Sequence, residues 1–254
     1  MGRRGAPLED PGRWVFNRLA ADYRERPGYP EGLADRILEL AGGAGTAIAD
    51  LGAGTGLLAL PLADRGAEVV AVEPAEAMRR VLAERAGPRR IAVVAATAEE
   101  TGLPPKSVRG AVAADVLQWI EPERAGREAA RILAPGGVLA VVTAELADAP
   151  FPNALRSLLE RANERARPRP AARLGQLLRA ASVAGGGEET WRDEEVLSPG
   201  RLEAVLRSLS LVGPALGPGP LARLLDEARR LAEVHGGAVW ARTITLRWGR
   251  RPGP

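Results

Sequence analysis

An α/β fold built on a parallel sheet is predicted by two features of the sequence. Between residues 46 and 142 short apolar runs alternate with segments of helical periodicity, the pattern of strands buried on both faces and joined by right-handed crossovers. The first of these runs passes directly into "DLGAGTG" (50–56), a cluster of glycines where a first strand feeds a first helix. With 254 residues, 46% of them hydrophobic, the chain can bury one substantial core, and residues 1–254 read as a single domain.

The elements follow in order. Two helices come first, Trp14 to Tyr23 and Pro30 to Leu40, joined by "RERPGYP"; Pro30 suits a first helical turn and "AGGAG" ends the segment. Strands are expected at 46–51, 69–72, 91–94, 110–114 and 137–142. Between them "LLALPLADRG", "PAEAMRRVLAERAG" and "EPERAGREAARILAPGG" read as helices. In the second, Met78, Val81, Leu82 and Arg85 share a face; the third stops at Pro135 to Gly137. The helix after the glycine loop should start at Thr55 or Gly56, which puts Pro61 inside it and predicts a kink. Residues 151–182 read as helical, broken by "RPRP" (167–170). A strand ending near Val196, helices at 199–209 and 220–235, and a strand at 238–248 complete the pattern.

Composition removes several chemistries. There is no cysteine and one histidine, His235, so thiolate catalysis, disulfides and a zinc site of nitrogen and sulfur ligands are not expected. His235 sits before "GG" near a helix C-terminus, where an imidazole is common for electrostatic reasons alone. The net charge of +3 is small, and the abundance of arginine accompanies a general Ala, Gly and Pro bias, so no nucleic-acid partner is expected. The arginine run at 161–173 reads as a solvated face. No apolar stretch is long enough for a bilayer, and the arginines of "MGRRGAPLEDPGRW" precede no apolar core, so the expectation is a cytoplasmic chain without a membrane partner.

Glycines between a strand and a helix let a ligand approach main-chain atoms and the unpaired amides of the helix start. The dinucleotide fingerprint would place a third glycine where Leu57 stands, and Asp50, just before the glycines, would repel a pyrophosphate. Asp50 can face a positive part of a ligand or cap the glycine turn. Glu73 ends the second strand about 20 residues after the first glycine, where a carboxylate can take both hydroxyls of a ribose.

Six segments, in order, resemble the class I S-adenosylmethionine-dependent methyltransferases of the type 11 methyltransferase-domain group. They are "FNRLAADYRERPGYP" (16–30), "IADLGAGTG" (48–56), "VVAVEPAEAM" (69–78), "TAEETGLP" (97–104), "AADVLQWIEP" (113–122) and "AARILAPGGVLAVV" (129–142). The resemblance implies a Rossmann-like sheet of seven strands whose last is antiparallel, with helices on both faces, strands six and seven being 189–196 and 238–248. It implies S-adenosylmethionine as cofactor, no metal, and a methyl acceptor. Asp50 with Gly52, Ala53, Gly54, Thr55 and Gly56 would hold the methionine part, Glu73 the ribose, and Thr97, Ala98 and Glu99 the adenine, with Met78 near the adenosine and Pro74 also among the cofactor-binding residues. Ala114 and Asp115 would border the sulfonium; Tyr23 and Arg26 would cover the carboxylate end. Members often carry His-Trp after strand four, where this chain has Gln118-Trp119, and no catalytic residue is assigned.

Some of these residues also have ordinary structural readings. Met78 can be plain core, Tyr23 the apolar face of helix one with Val15 and Leu19, and Trp119 either packing under the next helix or the rim of an acceptor pocket. The expected function is methyl transfer to a small molecule. Residues 1–44 would form cap helices, 45–147 the cofactor core, 148–187 a lid over the acceptor near Trp119, and 188–254 the end of the sheet. A non-catalytic adenosylmethionine-binding protein and a nicotinamide-dependent oxidoreductase are the alternatives. The sequence leaves the accepting atom and the oligomeric state open.

Overall fold

A computed structural model describes residues 15–163 and 172–253. Its seven strands are β1 (Ala47–Leu51), β2 (Glu68–Val72), β3 (Ile91–Val94), β4 (Val108–Ala114), β5 (Leu133–Leu146), β6 (Ala184–Leu197) and β7 (Ala238–Arg250). They form one sheet in the order β3-β2-β1-β4-β5-β7-β6, parallel from β3 to β5, with β7 antiparallel to both its neighbours. The order reverses beside β1 and β4, so the crevice at their C-terminal ends is where an open sheet of this kind accepts a ligand.

The continuous apolar runs reflect burial on both faces. Along β5, Val138, Ala140 and Val142 pack into one cluster with α2 (Glu31–Ala41) and α3 (Ala59–Asp64), through Leu33, Ile37 and Leu62. Leu139 and Val141 point the other way, onto Ala125, Ala129 and Ile132 of α5 (Pro122–Ile132) and Leu177 of α7 (Ala172–Ala180). A further cluster joins α1 (Val15–Tyr23) to α4 (Glu76–Ala86) through Val15, Leu19, Met78 and Val81. Beyond the sheet, α6 (Pro150–Ala162), α8 (Pro199–Ser208) and α9 (Pro218–Val234) pack on one another and on Trp240 of β7.

Four sequence expectations change. The helix after the glycine loop begins at Ala59 instead of Thr55 or Gly56, so Pro61 lies in its first turn, where no intrahelical amide bond is lost and no kink is needed. The "PGG" at 135–137 does not stop a helix: α5 already ends at Ile132, and these residues lie inside β5, where the register against β4 shifts between Val108 and Gly110. A Cβ on Gly137 would come within 2.8 Å of the Ala134 carbonyl and 3.0 Å of the Arg109 carbonyl, so glycine is required at this irregularity. The expected lid at 148–187 is not one unit. Its first helix, α6, joins the α8–α9 cluster, its second, α7, packs against α5 on the opposite side of the sheet, and residues 184–187 belong to β6. The arginine run is only partly solvated: Arg161 pairs with Glu227 at 2.8 Å in an exposed contact, whereas Arg173 donates to the carbonyls of Leu117 and Ile120 at 2.9 and 2.6 Å. The "RPRP" segment and Trp14 lie outside the described residues.

Candidate active site

Between β1 and α3 the chain turns through three residues of positive φ, Gly52 (80°), Gly54 (56°) and Gly56 (86°). The amides of Gly52 and Ala53 donate to the Val72 carbonyl at 2.8 and 3.1 Å, which ties the loop to the end of β2. The glycines do different work. A Cβ on Gly56 would meet Leu82 Cδ1 at 2.4 Å, so this residue permits close packing of the loop on α4, whereas the nearest atom to a Cβ on Gly54 is Tyr23 Cε1 at 3.8 Å, an ordinary van der Waals contact.

Two buried carboxylates flank the loop. Asp50, next to last in β1, is 2% exposed and accepts the backbone N–H of Ala59, the first residue of α3 and beyond the glycine turn. Its Oδ2 has no partner. Burial first, then the charge of Glu73, pushes its pKa up to about 7. Glu73 accepts the amide of Gly54 on Oε2 at 2.9 Å and that of Ala75 on Oε1 at 2.7 Å. Burial raises its pKa, against the lowering effect of those two bonds.

A cleft runs from this loop along the C-terminal ends of the strands. It is lined by Tyr23, Gly52, Gly54, Glu73, Pro74, Met78, Thr97, Ala98, Glu99, Ala114, Asp115 and Trp119 of the expected residues, joined by Phe16, Val116 and Ile120. Phe16 stands edge-on to Trp119 with ring centroids 4.9 Å apart, so Trp119 packs on α1 while also walling the cleft. Met78 and Tyr23 likewise belong both to the α1–α4 cluster and to the cleft wall. Ala53, Thr55 and Gly56 do not line the cleft, and Asp50 is buried beside the loop glycines that do. Thr55 is completely buried, and its carbonyl accepts Arg85 at 2.9 Å.

Arg26 faces a second space, a chamber of about 330 Å³ that shares Tyr23 and Asp115 with the cleft. Its guanidinium lies 4.0 Å from the Tyr23 ring centroid and donates to the side chain and carbonyl of Ser208, both at 2.8 Å. Asp115 stands at the junction, in a left-handed conformation (φ 52°) uncommon for residues other than glycine but better tolerated by aspartate than by most. Its Oδ2 accepts the Tyr29 hydroxyl at 2.9 Å and its Oδ1 the Ala144 amide at 2.7 Å. Gln118 Nε2 donates to the Asp115 carbonyl at 3.0 Å. Tyr29 and Arg242, which also line the chamber, were not anticipated. Tyr29 sits in a segment that reads as a linker, and Arg242 in a strand 215 residues from its contact Pro27. His235 caps the end of α9 beside Phe151 and lines neither space.

The methyltransferase-domain family matches residues 49–141. Over 247 residues the chain is 33% identical to the malonyl-[acyl-carrier protein] O-methyltransferase of Geobacter sulfurreducens, covering 89% of this chain and 91% of that one. This chain belongs to the class I S-adenosylmethionine-dependent methyltransferases. It is 43% identical over 124 residues to a methyltransferase of Mycobacterium tuberculosis H37Rv described as uncharacterized, and the match spans about half the length of each. Among solved structures, a protein from Anaeromyxobacter dehalogenans described as a type II methyltransferase superposes with TM-score 0.63 at 28% identity, covering 90% of this chain and 99% of that one. The phosphoethanolamine N-methyltransferase 2 of Haemonchus contortus, solved with S-adenosylhomocysteine, shares the fold at 14% identity with TM-score 0.58, over 97% of this chain and 61% of that one.

The cofactor of this methyltransferase is S-adenosylmethionine, and the buried groups fit it. The orphaned Oδ2 of Asp50 lacks the kind of cationic N–H that a methionyl ammonium carries, and each Glu73 oxygen keeps a lone pair beyond its backbone bond for a ribose hydroxyl. No helix among the described residues is long and apolar enough to cross a membrane, and no group of three His, Cys, Asp or Glu among them could hold a metal.

Proposed function

We propose that this methyltransferase is a cytoplasmic enzyme that moves the methyl group of S-adenosylmethionine to a small-molecule acceptor by in-line displacement. The observation that carries the reading is the shared wall: Asp115 and Tyr23 line both the cleft beside the glycine loop and the chamber beyond it, so donor and acceptor spaces meet at the end of β4. S-adenosylmethionine brings a methyl group already activated on a cationic sulfur.

The residues then have positional tasks. Glu73 holds the ribose hydroxyls and is itself held by Gly54 and Ala75. Asp50 meets the methionyl ammonium beside Gly52 and Gly54. Thr97, Ala98, Glu99, Pro74 and Met78 enclose the adenosine, and Ala114 borders the sulfur. Phe16, Tyr23 and Trp119 cover the cleft with aromatic surface and exclude water. Alignment alone can contribute roughly 7–11 kcal/mol in an ideal geometry, so a transfer of this kind needs no dedicated base. The Geobacter relative is named for O-methylation, which is consistent with an oxygen acceptor here.

Calorimetric titration with S-adenosylmethionine, S-adenosylhomocysteine and NAD(H) tests the reading. Binding of both adenosyl ligands and not of NAD(H), followed by transfer of labelled methyl to a small molecule, is the expected result. Binding of NAD(H) alone would overturn it.

A further inference from the structure

The chamber beyond Asp115 has a wall of two kinds. Most of it is apolar, with Leu146, Leu159, Leu211, Val212 and Trp240 among its residues. Near Asp115 it carries two guanidinium groups whose donors are incompletely used. Arg26 is fixed by Ser208 and by Tyr23, yet it forms no ion pair among the described residues. Arg242 is 8% exposed. Its Nη1 and Nη2 go to the carbonyls of Pro27 and Gly28 and to Asp193, while its Nε is buried with no partner.

Asp193 pairs with Arg242 through Nη2 and leaves its Nε unserved, and no other nearby anion pairs with either guanidinium among the described residues. Both oxygens of Asp115 are already taken, by Tyr29 and by the Ala144 amide. The Arg26 and Arg242 charges both favour the ionised form of Asp115, so both cations act on this end of the chamber, but burial outweighs them and raises its pKa. Glu145, the other acid in the wall, is exposed to solvent and forms no ion pair among the described residues. What this end lacks is a hydrogen-bond acceptor with negative charge, and what the remainder lacks is apolar volume.

We propose that the acceptor is an amphipathic carboxylate, its anion held by Arg26 and Arg242 beside Asp115 and its apolar body lying along Leu146, Leu159 and Val212. The assignment rests on the methyltransferase reading and adds to it the chemical class of the molecule in the chamber. It also moves Arg26 from the cofactor, where the family resemblance put it, to the acceptor.

The test uses octanoate, octylamine and octanol, three probes of equal chain length, titrated into the protein with and without saturating S-adenosylhomocysteine. Octanoate should bind at least tenfold more tightly than either of the others. Arg26→Gln should cost octanoate at least tenfold in affinity while changing the S-adenosylhomocysteine affinity less than twofold, and Arg26→Lys should recover part of the octanoate binding. Octylamine binding as tightly as octanoate, or no octanoate binding to a protein that binds S-adenosylhomocysteine, would overturn the assignment and leave the methyltransferase reading intact. If Arg26→Gln weakens S-adenosylhomocysteine and spares octanoate, the guanidinium serves the cofactor's own carboxylate and the proposal fails. A protein that binds octanoate selectively but no adenosyl ligand would overturn the methyltransferase reading alone.

Discussion

Glu73 reaches back 19 residues to accept the amide of Gly54, which joins the end of β2 to the middle of the glycine loop. The same carboxylate accepts Ala75, so each oxygen faces a backbone donor. Glu73→Ala should therefore weaken S-adenosylhomocysteine binding at least tenfold, about 1.4 kcal/mol, in a protein that circular dichroism shows to be folded. Glu73→Gln should be no milder, because its amide nitrogen must oppose one of those two donors. Unchanged affinity in folded Glu73→Ala would remove Glu73 from the ribose.

Asp50 makes stability depend on pH in an unusual direction. With its pKa raised to about 7, the folded protein keeps a proton at intermediate pH that the unfolded chain, with an ordinary carboxylate, has released. Stability from this group is greatest below about pH 4, falls as the pH rises toward 7, and levels out above. Urea denaturation across that range should show the slope in the wild type and a flatter profile in Asp50→Asn, which can still accept the Ala59 amide. A cationic ligand group at Oδ2 would favour the ionised form, so adenosyl ligands should release protons on binding near pH 6. Calorimetry in buffers of different ionisation enthalpy measures that release.

The glycines of the loop should separate by function. Gly56→Ala drives a methyl group into Leu82 and should cost about 1–3 kcal/mol of stability by denaturant titration, with cofactor affinity retained in the folded fraction. Gly54→Ala has room for its methyl group and should lose roughly 1–2 kcal/mol, from its left-handed conformation, with a larger proportional loss in S-adenosylhomocysteine affinity. Equal effects of the two on binding would contradict the division.

Tyr29→Phe removes the hydroxyl that serves Asp115 Oδ2. Loss of a partner to a buried carboxylate should destabilise the fold by about 1–3 kcal/mol in urea. An unchanged midpoint would mean that solvent in the chamber replaces the hydroxyl at no cost.

The cleft beside the glycine loop was legible because it is local. Strand ends, glycines and Glu73 lie on consecutive elements, and the parallel sheet fixes where each strand ends, so residues as distant as Thr97 and Asp115 fall into one cleft. What the sequence left hidden depends on long-range packing. Arg242 gains its meaning only when β7 passes the 27–28 turn, and α7 was assigned to a lid because nothing in its amphipathic pattern says which side of the sheet it will cover. The extra length of β5 was masked by "PGG", a strong turn signal that the bulge against β4 absorbs.

The place of β7 between β5 and β6 also has a consequence for how the polypeptide matures on the ribosome. β5 is complete at Leu146, but the strand that covers its free edge begins only at Ala238. Throughout synthesis of the intervening helices and β6, the nascent protein carries an open sheet edge, and β6 has no sheet partner until β7 arrives to pair with both. Closure of that gap is a late, long-range event of the kind that slows folding, and it makes the half-made chain the species most exposed to aggregation.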